Sequence, residues 1–107
     1  MWDIPPERLC RQHLLGEHRE IHALWSIITT HKKGYQHHPE TLRWKGKLQA
    51  LYLRHEQIVK EMAQRGFHHQ SPLDQSLATG SPVQDVLVDS FEKQKRLLRE
   101  KGCECKV

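Results

Sequence analysis

Residues 10–28, CRQHLLGEHREIHALWSII, carry a helical repeat with two unlike faces. At about 100° per residue, Cys10, Leu14, Ile21, Trp25 and Ile28 fall on one side and form a core stripe. On the opposite side His13, Gly16 and Glu20 align, flanked by Gln12, Arg19 and Ala23, which makes a groove of polar and small side chains. Glycine inside a helix costs about 1 kcal/mol relative to alanine, so a close approach at Gly16, by a packed helix or by a ligand, is expected to compensate. This helix is predicted to run from about Pro5 or Pro6 to about Thr30, ahead of a Lys32-Lys33-Gly34 turn.

Working outward, a second helix is predicted from about Pro39 to Arg65, stopped by Gly66. Its stripe is Trp44, Leu48, Leu51, Tyr52, His55, Val59 and Met62, at steps of three and four. His55 inside that stripe reads as a structural histidine with its hydrogen bonds satisfied. A third helix is predicted from about Pro82 to Lys101, opened by an S-x-x-Q capping pattern at Ser81 and Gln84 and stopped by Gly102. It has a thin seam of Leu87, Phe91 and Leu98 and a basic outer face of Lys93, Lys95, Arg96, Arg99 and Lys101. Proline near each start and glycine near each end fit helix termini. Between the last two helices the loop Gln70 to Gly80 holds Ser71, Pro72 and Asp74, enough for one short helical turn. No segment reads as a strand. The expected fold is all-α, a single small domain over residues 1–107 built on three main helices with connecting loops.

A chain of 107 residues has room for one core, and its longest apolar runs fall far short of the roughly 20 residues that cross a bilayer. No signal peptide is readable at the N-terminus, so the expected location is cytoplasmic. Three cysteines, Cys10, Cys103 and Cys105, are an odd and sparse set that suggests neither a disulfide framework nor a four-ligand zinc site, and Cys10 is assigned to the core. His18 and His22 share a helix face at metal-ligand spacing, but they point away from Glu20 and no third ligand is evident. No metal is therefore expected. His37, His38, His68 and His69 sit at turns and are expected to face solvent. A formal charge of +4 with nine histidines makes an anionic partner plausible. Taken alone, Glu20 reads as a solvated carboxylate paired with a neighbouring base.

Gln12-His13-Leu14-Leu15-Gly16-Glu17-His18-Arg19-Glu20 resembles the Q-H-L-x-x-E-x-R-E segment of the pyrimidine-dimer DNA glycosylase/AP lyase family, the phage-type endonuclease V. Lys47-Leu48 through Arg65-Gly66-Phe67 is similar to that family's K-L-x-x-L and closing K-R-G-F. The two stretches lie within Gln12 to Phe67. The resemblance implies a helical fold without cofactor and, as partner, duplex DNA carrying a damaged site. It implies cleavage of the glycosylic bond at a cyclobutane pyrimidine dimer, followed by strand scission. In such enzymes a backbone amine attacks the sugar carbon as the base leaves, and the imine permits β-elimination of the phosphate. An α-amine suits this step because its reference pKa of about 7.7–8.0 leaves a usable deprotonated fraction at neutral pH. Carried over by motif, Glu20 is the catalytic carboxylate, Arg19 holds a phosphate, and Gln12 and His13 contact the DNA backbone or the distorted pair. Lys93 and Arg96 on the third helix would add nonspecific phosphate contacts.

The sequence departs from the family pattern in three places. The bulky Trp2 should leave Met1 in place, which puts the reacting amine on Met1 and displaces it by one residue. Ala23 stands where the family has a second arginine, which removes one phosphate clamp. The chain ends at Gly102 to Val107 without an aromatic, basic tail. A monomer acting on DNA away from any membrane is expected. The alternative is a noncatalytic DNA-binding or protein-interaction module that keeps the fold; a free amine within about 4 Å of the Glu20 carboxylate separates the two.

Overall fold

The computed structural model describes residues 1–31, 34, 36–68 and 71–107. The expected turn residues Lys32 and Lys33, the exposure expected of His69, and the start of the loop at Gln70 lie outside the described residues. Four helices form: α1 (Arg11–Thr29), α2 (Pro39–Trp44), α3 (Leu48–Gln64) and α4 (Phe91–Glu100), with short 3-10 turns at Pro6–Arg8 and Gln75–Leu77. The all-α fold with three main helices is as expected. Among the described residues the only β pairing is a single bridge between Lys47 and Gly80, and no helix is long and apolar enough to cross a membrane.

α1 and α3 make the principal packing pair. Leu14, Ile21, Leu24 and Trp25 of α1 meet Ala50, Leu51, Ile58 and Met62 of α3, and Ile4, Leu9, Trp44, Leu73 and Leu98 close the core around them. Removing a side chain such as Leu51 or Ile58 from a core of this kind costs roughly 2–5 kcal/mol.

Three element boundaries differ from the sequence expectation, each for a local reason. The first helix does not continue through Pro6: the chain makes a 3-10 turn, Cys10 turns extended, and α1 starts at Arg11. Arg65 stabilises that turn by donating to the carbonyls of Pro6, Glu7 and Leu9. The second helix is broken at Lys45-Gly46-Lys47, where Gly46 takes a positive φ of 77° that is costly for any other residue. Gly80 packs against the Gly46 carbonyl so closely that a Cβ there has no room.

The third helix starts at Phe91 rather than Pro82, and Ser90 is its N-cap, accepting from the Lys93 amide. Ser81 is instead held by α3: its amide donates to the Gly46 carbonyl and its carbonyl accepts from Ala50, while Thr79 accepts from Gln49. These contacts satisfy the otherwise orphaned first-turn amides of α3. Gln84 reaches across to the Arg43 carbonyl and Lys47. The capping signal at Ser81 is outweighed by these tertiary bonds. Of the expected seam, Leu98 is fully buried, Leu87 is half-buried and Phe91 is exposed.

Candidate active site

The N-terminal arm, residues 1–4, lies across the helices and is tied to all four. The Trp2 amide donates to Glu17 on α1 at 3.0 Å, and Arg54 on α3 donates to the Trp2 and Ile4 carbonyls and to the other Glu17 oxygen. Asp3 accepts from Arg43 on α2 at 2.9 Å and exchanges two hydrogen bonds with Gln94 on α4. Glu17 and Arg43 are both buried, so these bonds operate in a medium that strengthens them. Burial raises the Glu17 pKa, and the Arg54 guanidinium opposes the rise. At Arg43 burial pulls the pKa down, but Asp3 and Glu40 outweigh it and hold the guanidinium charged.

That anchoring fixes the Met1 amine. Its nitrogen lies 3.2 Å from Glu20 Oε1 and 3.4 Å from Glu40 Oε1. The two carboxylates differ in access: the Glu20 side chain is 44% exposed, whereas that of Glu40 is 10% exposed. Glu40 is oriented through its other oxygen by Arg43 Nε at 2.8 Å and Trp44 Nε1 at 3.3 Å. Burial lowers the pKa of the amine, but Glu40, Glu20 and Glu17 together raise it above its ordinary value of 8.0. Sequence alone implies only that ordinary value.

A small pocket of about 220 Å³ opens beside the Glu20 and Glu40 side chains, lined also by Ala23, Leu24, Ile27, His38 and Thr41. The buried Thr41 hydroxyl has no hydrogen-bond partner among the described residues. Gly16 has open space where a Cβ would stand, so the close approach of a packed helix expected there is not made. Gln12 and Arg19 are exposed and line a second groove with Leu15 and Cys103. The Met1 amine is thus held between two carboxylates that both line the pocket.

The sequence model for the family described as pyrimidine dimer DNA glycosylase matches residues 1–75 of this chain. The chain belongs to that family. Neither a curated protein nor a solved structure matches it. Membership makes it a DNA glycosylase, with DNA as the class of substrate. The matched region holds the N-terminal arm, α1, α2 and α3, and thus Met1, Glu17, Glu20, Glu40 and Arg54 of this glycosylase.

The remaining residues singled out in the sequence lie elsewhere in the fold. His13 is half-buried, with Nδ1 3.2 Å from the sulfurs of both Cys10 and Cys105. Burial, then the charge of Lys101, lowers its pKa. Cys10 is not core: it is partly exposed and gathered with Cys103 and Cys105. His18 and His22 gain a third member from α3, His55, whose Nε2 lies 3.2 Å from His22 Nε2. His55 is fully buried and also meets Glu56 at 3.0 Å. Lys93 is exposed at 3.0 Å from Asp89, and Arg96 is exposed.

Sequence reasoning missed Glu40, Glu17 and Arg54. Glu17 could have been found: it sits three residues after Leu14 and four before Ile21, a charge inside an apolar stripe, and such charges are rarely buried without a partner. Glu40 carries no comparable signal, because only the tertiary fold brings α2 to the arm.

Proposed function

We propose that the chain cleaves the glycosylic bond at a pyrimidine dimer in duplex DNA and then the strand itself, with the Met1 amine as nucleophile and Glu20 as catalytic carboxylate. The observation that carries this reading is the 3.2 Å contact between the Met1 nitrogen and Glu20 Oε1. Once deprotonated, the amine forms a bond to the sugar C1′ while the C1′–N bond breaks and its electron pair leaves with the base. The nitrogen loses one proton after this bond forms and the second as the C1′–O4′ bond breaks and O4′ takes up a proton, which leaves an imine between Met1 and the opened sugar. Glu20, the more exposed carboxylate, stabilises positive charge developing on the sugar. It then assists removal of a C2′ proton, so that the 3′ phosphate is eliminated. Water finally hydrolyses the imine and returns the free amine.

The pocket beside Glu20, at about 220 Å³, is smaller than the roughly 300–1,000 Å³ of a drug-sized ligand site. It suits a sugar and part of a base, presented after the nucleotide leaves the stack, a movement that costs least where stacking is already damaged. Gln12 and Arg19 extend the contact along the backbone, with Arg19 as a phosphate fork. A duplex with one thymine dimer should be nicked at the dimer without alkali. Nicks that appear only after alkali would remove the lyase step, and no product either way would overturn the reading.

The raised amine pKa sets the pH dependence. At neutral pH most of the amine is protonated, so single-turnover cleavage should increase with pH and level off above pH 8. Glu40→Gln removes the carboxylate that raises the amine most and should move the profile to lower pH; an unmoved profile would contradict the assignment. The same shift links to stability. The pairing of Met1 with Glu20 and Glu40 contributes fully below the ordinary amine value and is lost as pH rises through the raised one.

Lys93 and Arg96 are proposed as outer phosphate contacts. Neutralising both to Gln should weaken binding to any duplex and reduce the slope of log affinity against log salt by about 0.9 for each phosphate that is no longer neutralised. An unchanged slope would take α4 out of the interface.

A further inference from the structure

Cys10 caps the start of α1, His13 lies one turn further on, and Cys103 and Cys105 follow the end of α4. The fold brings these four residues together from opposite ends of the chain, with one potential ligand atom from each and all four atoms within 4.8 Å of one another. His13 Nδ1 is 3.2 Å from the Cys10 and Cys105 sulfurs. A tetrahedral zinc with Zn–S of about 2.3 Å and Zn–N of about 2.0–2.1 Å separates its ligands by about 3.6–3.8 Å. The distances here bracket that value, so only small side-chain movements are needed. All four residues are partly buried, which leaves a path for an ion.

We propose that Cys10, His13, Cys103 and Cys105 form a Cys₃His site for a structural zinc ion. The pattern is C-x-x-H at the first turn of a helix and C-x-C on the segment after α4, closed on all four positions as structural zinc sites are. Soft thiolates with one imidazole select zinc over hard cations. The Cys10 amide already donates to the Cys105 sulfur at 3.1 Å, an outer-shell bond of the kind that orients a metal ligand. On binding, the three thiols lose their protons to solvent while the imidazole binds as the neutral base.

The ion closes a loop between Cys10 and Cys105, which are 95 positions apart, and pins the last residues beside the first turn, where Lys106 already donates to the Arg8 carbonyl at 2.7 Å. The Trp2 ring packs edge-on against His13 at 5.8 Å, so the site also braces the arm that carries Met1. It stands independently of the proposed DNA chemistry.

The test uses the full chain without an affinity tag. Expected results are zinc retained through gel filtration and a sulfur-to-metal charge-transfer band when cobalt replaces it. Zinc should also protect all three cysteines from alkylation until a chelator is added. Cys105→His should still bind cobalt with a weakened band. His18→Ala with His22→Ala should leave the band intact, because the histidine trio offers no sulfur. Absence of a charge-transfer band in the wild-type chain would overturn the proposal, as would alkylation equally fast with and without zinc. The alkylation readout needs no variant and so does not depend on how a mutant folds.

Discussion

Glu20→Gln is expected to lower strand cleavage at a thymine dimer by about 10²–10⁴-fold, the usual contribution of a positioned acid–base group, while leaving folding and DNA binding near wild type. The carboxylate is partly exposed and its contact to the chain is the Met1 amine, so the amide removes a charge and little packing. Its loss should affect both steps of the proposed mechanism, in which this one carboxylate stabilises the sugar cation and assists removal of the C2′ proton. The amine itself should become more acidic, since one of the groups that raise it is gone. A variant with abundant free amine and almost no turnover would separate the role of Glu20 on the substrate from any role on the nucleophile. Near wild-type cleavage, measured under single turnover, would remove Glu20 from the mechanism.

Arg54→Met should destabilise the fold by about 3–5 kcal/mol, the range for removing one partner of a buried ion pair. Glu17, with a fully buried side chain, would lose its 3.0 Å partner, and the carbonyls of Trp2 and Ile4 would lose their shared donor. Adding Glu17→Gln to Arg54→Met should restore part of the loss, because the unpaired buried charge is then gone. Urea unfolding of the single and double variants measures this. A single variant within about 1 kcal/mol of wild type, below the range for a buried pair, would mean that the arm is held by other bonds. The functional consequence is separate: with the arm loosened, the Met1 amine leaves its place between Glu20 and Glu40, and cleavage should fall even under conditions where the variant is folded.

What the sequence made legible follows the range of its interactions. That Gln12, Arg19 and Glu20 stand on the outward side of α1 could be read from helical periodicity, because a helix fixes which side chains share a face, although Gln12 and Arg19 line one groove and Glu20 another pocket. Glu40 could not, since its approach to Met1 depends on how α2 is placed in the fold, where Arg43 ties it to Asp3 of the arm and to the Val86 carbonyl. The start of α4 was misplaced for the same reason. Ser81 has a good local cap sequence, but its backbone is taken up by α3, and the exposed valines at 83, 86 and 88 run without helix until Ser90. The grouping proposed to hold zinc is hidden from a count of cysteines alone: His13 supplies the fourth position, and only folding places Cys103 and Cys105 against α1.

The most direct test of the central claim is borohydride trapping. The protein is incubated with a duplex carrying one thymine dimer, reduced with borohydride, digested, and the cross-linked peptide is read by mass spectrometry. The account predicts a covalent adduct on the Met1 α-amine that disappears when that amine is acetylated. An adduct on a lysine side chain, or none with either the dimer or an abasic-site duplex, would contradict it.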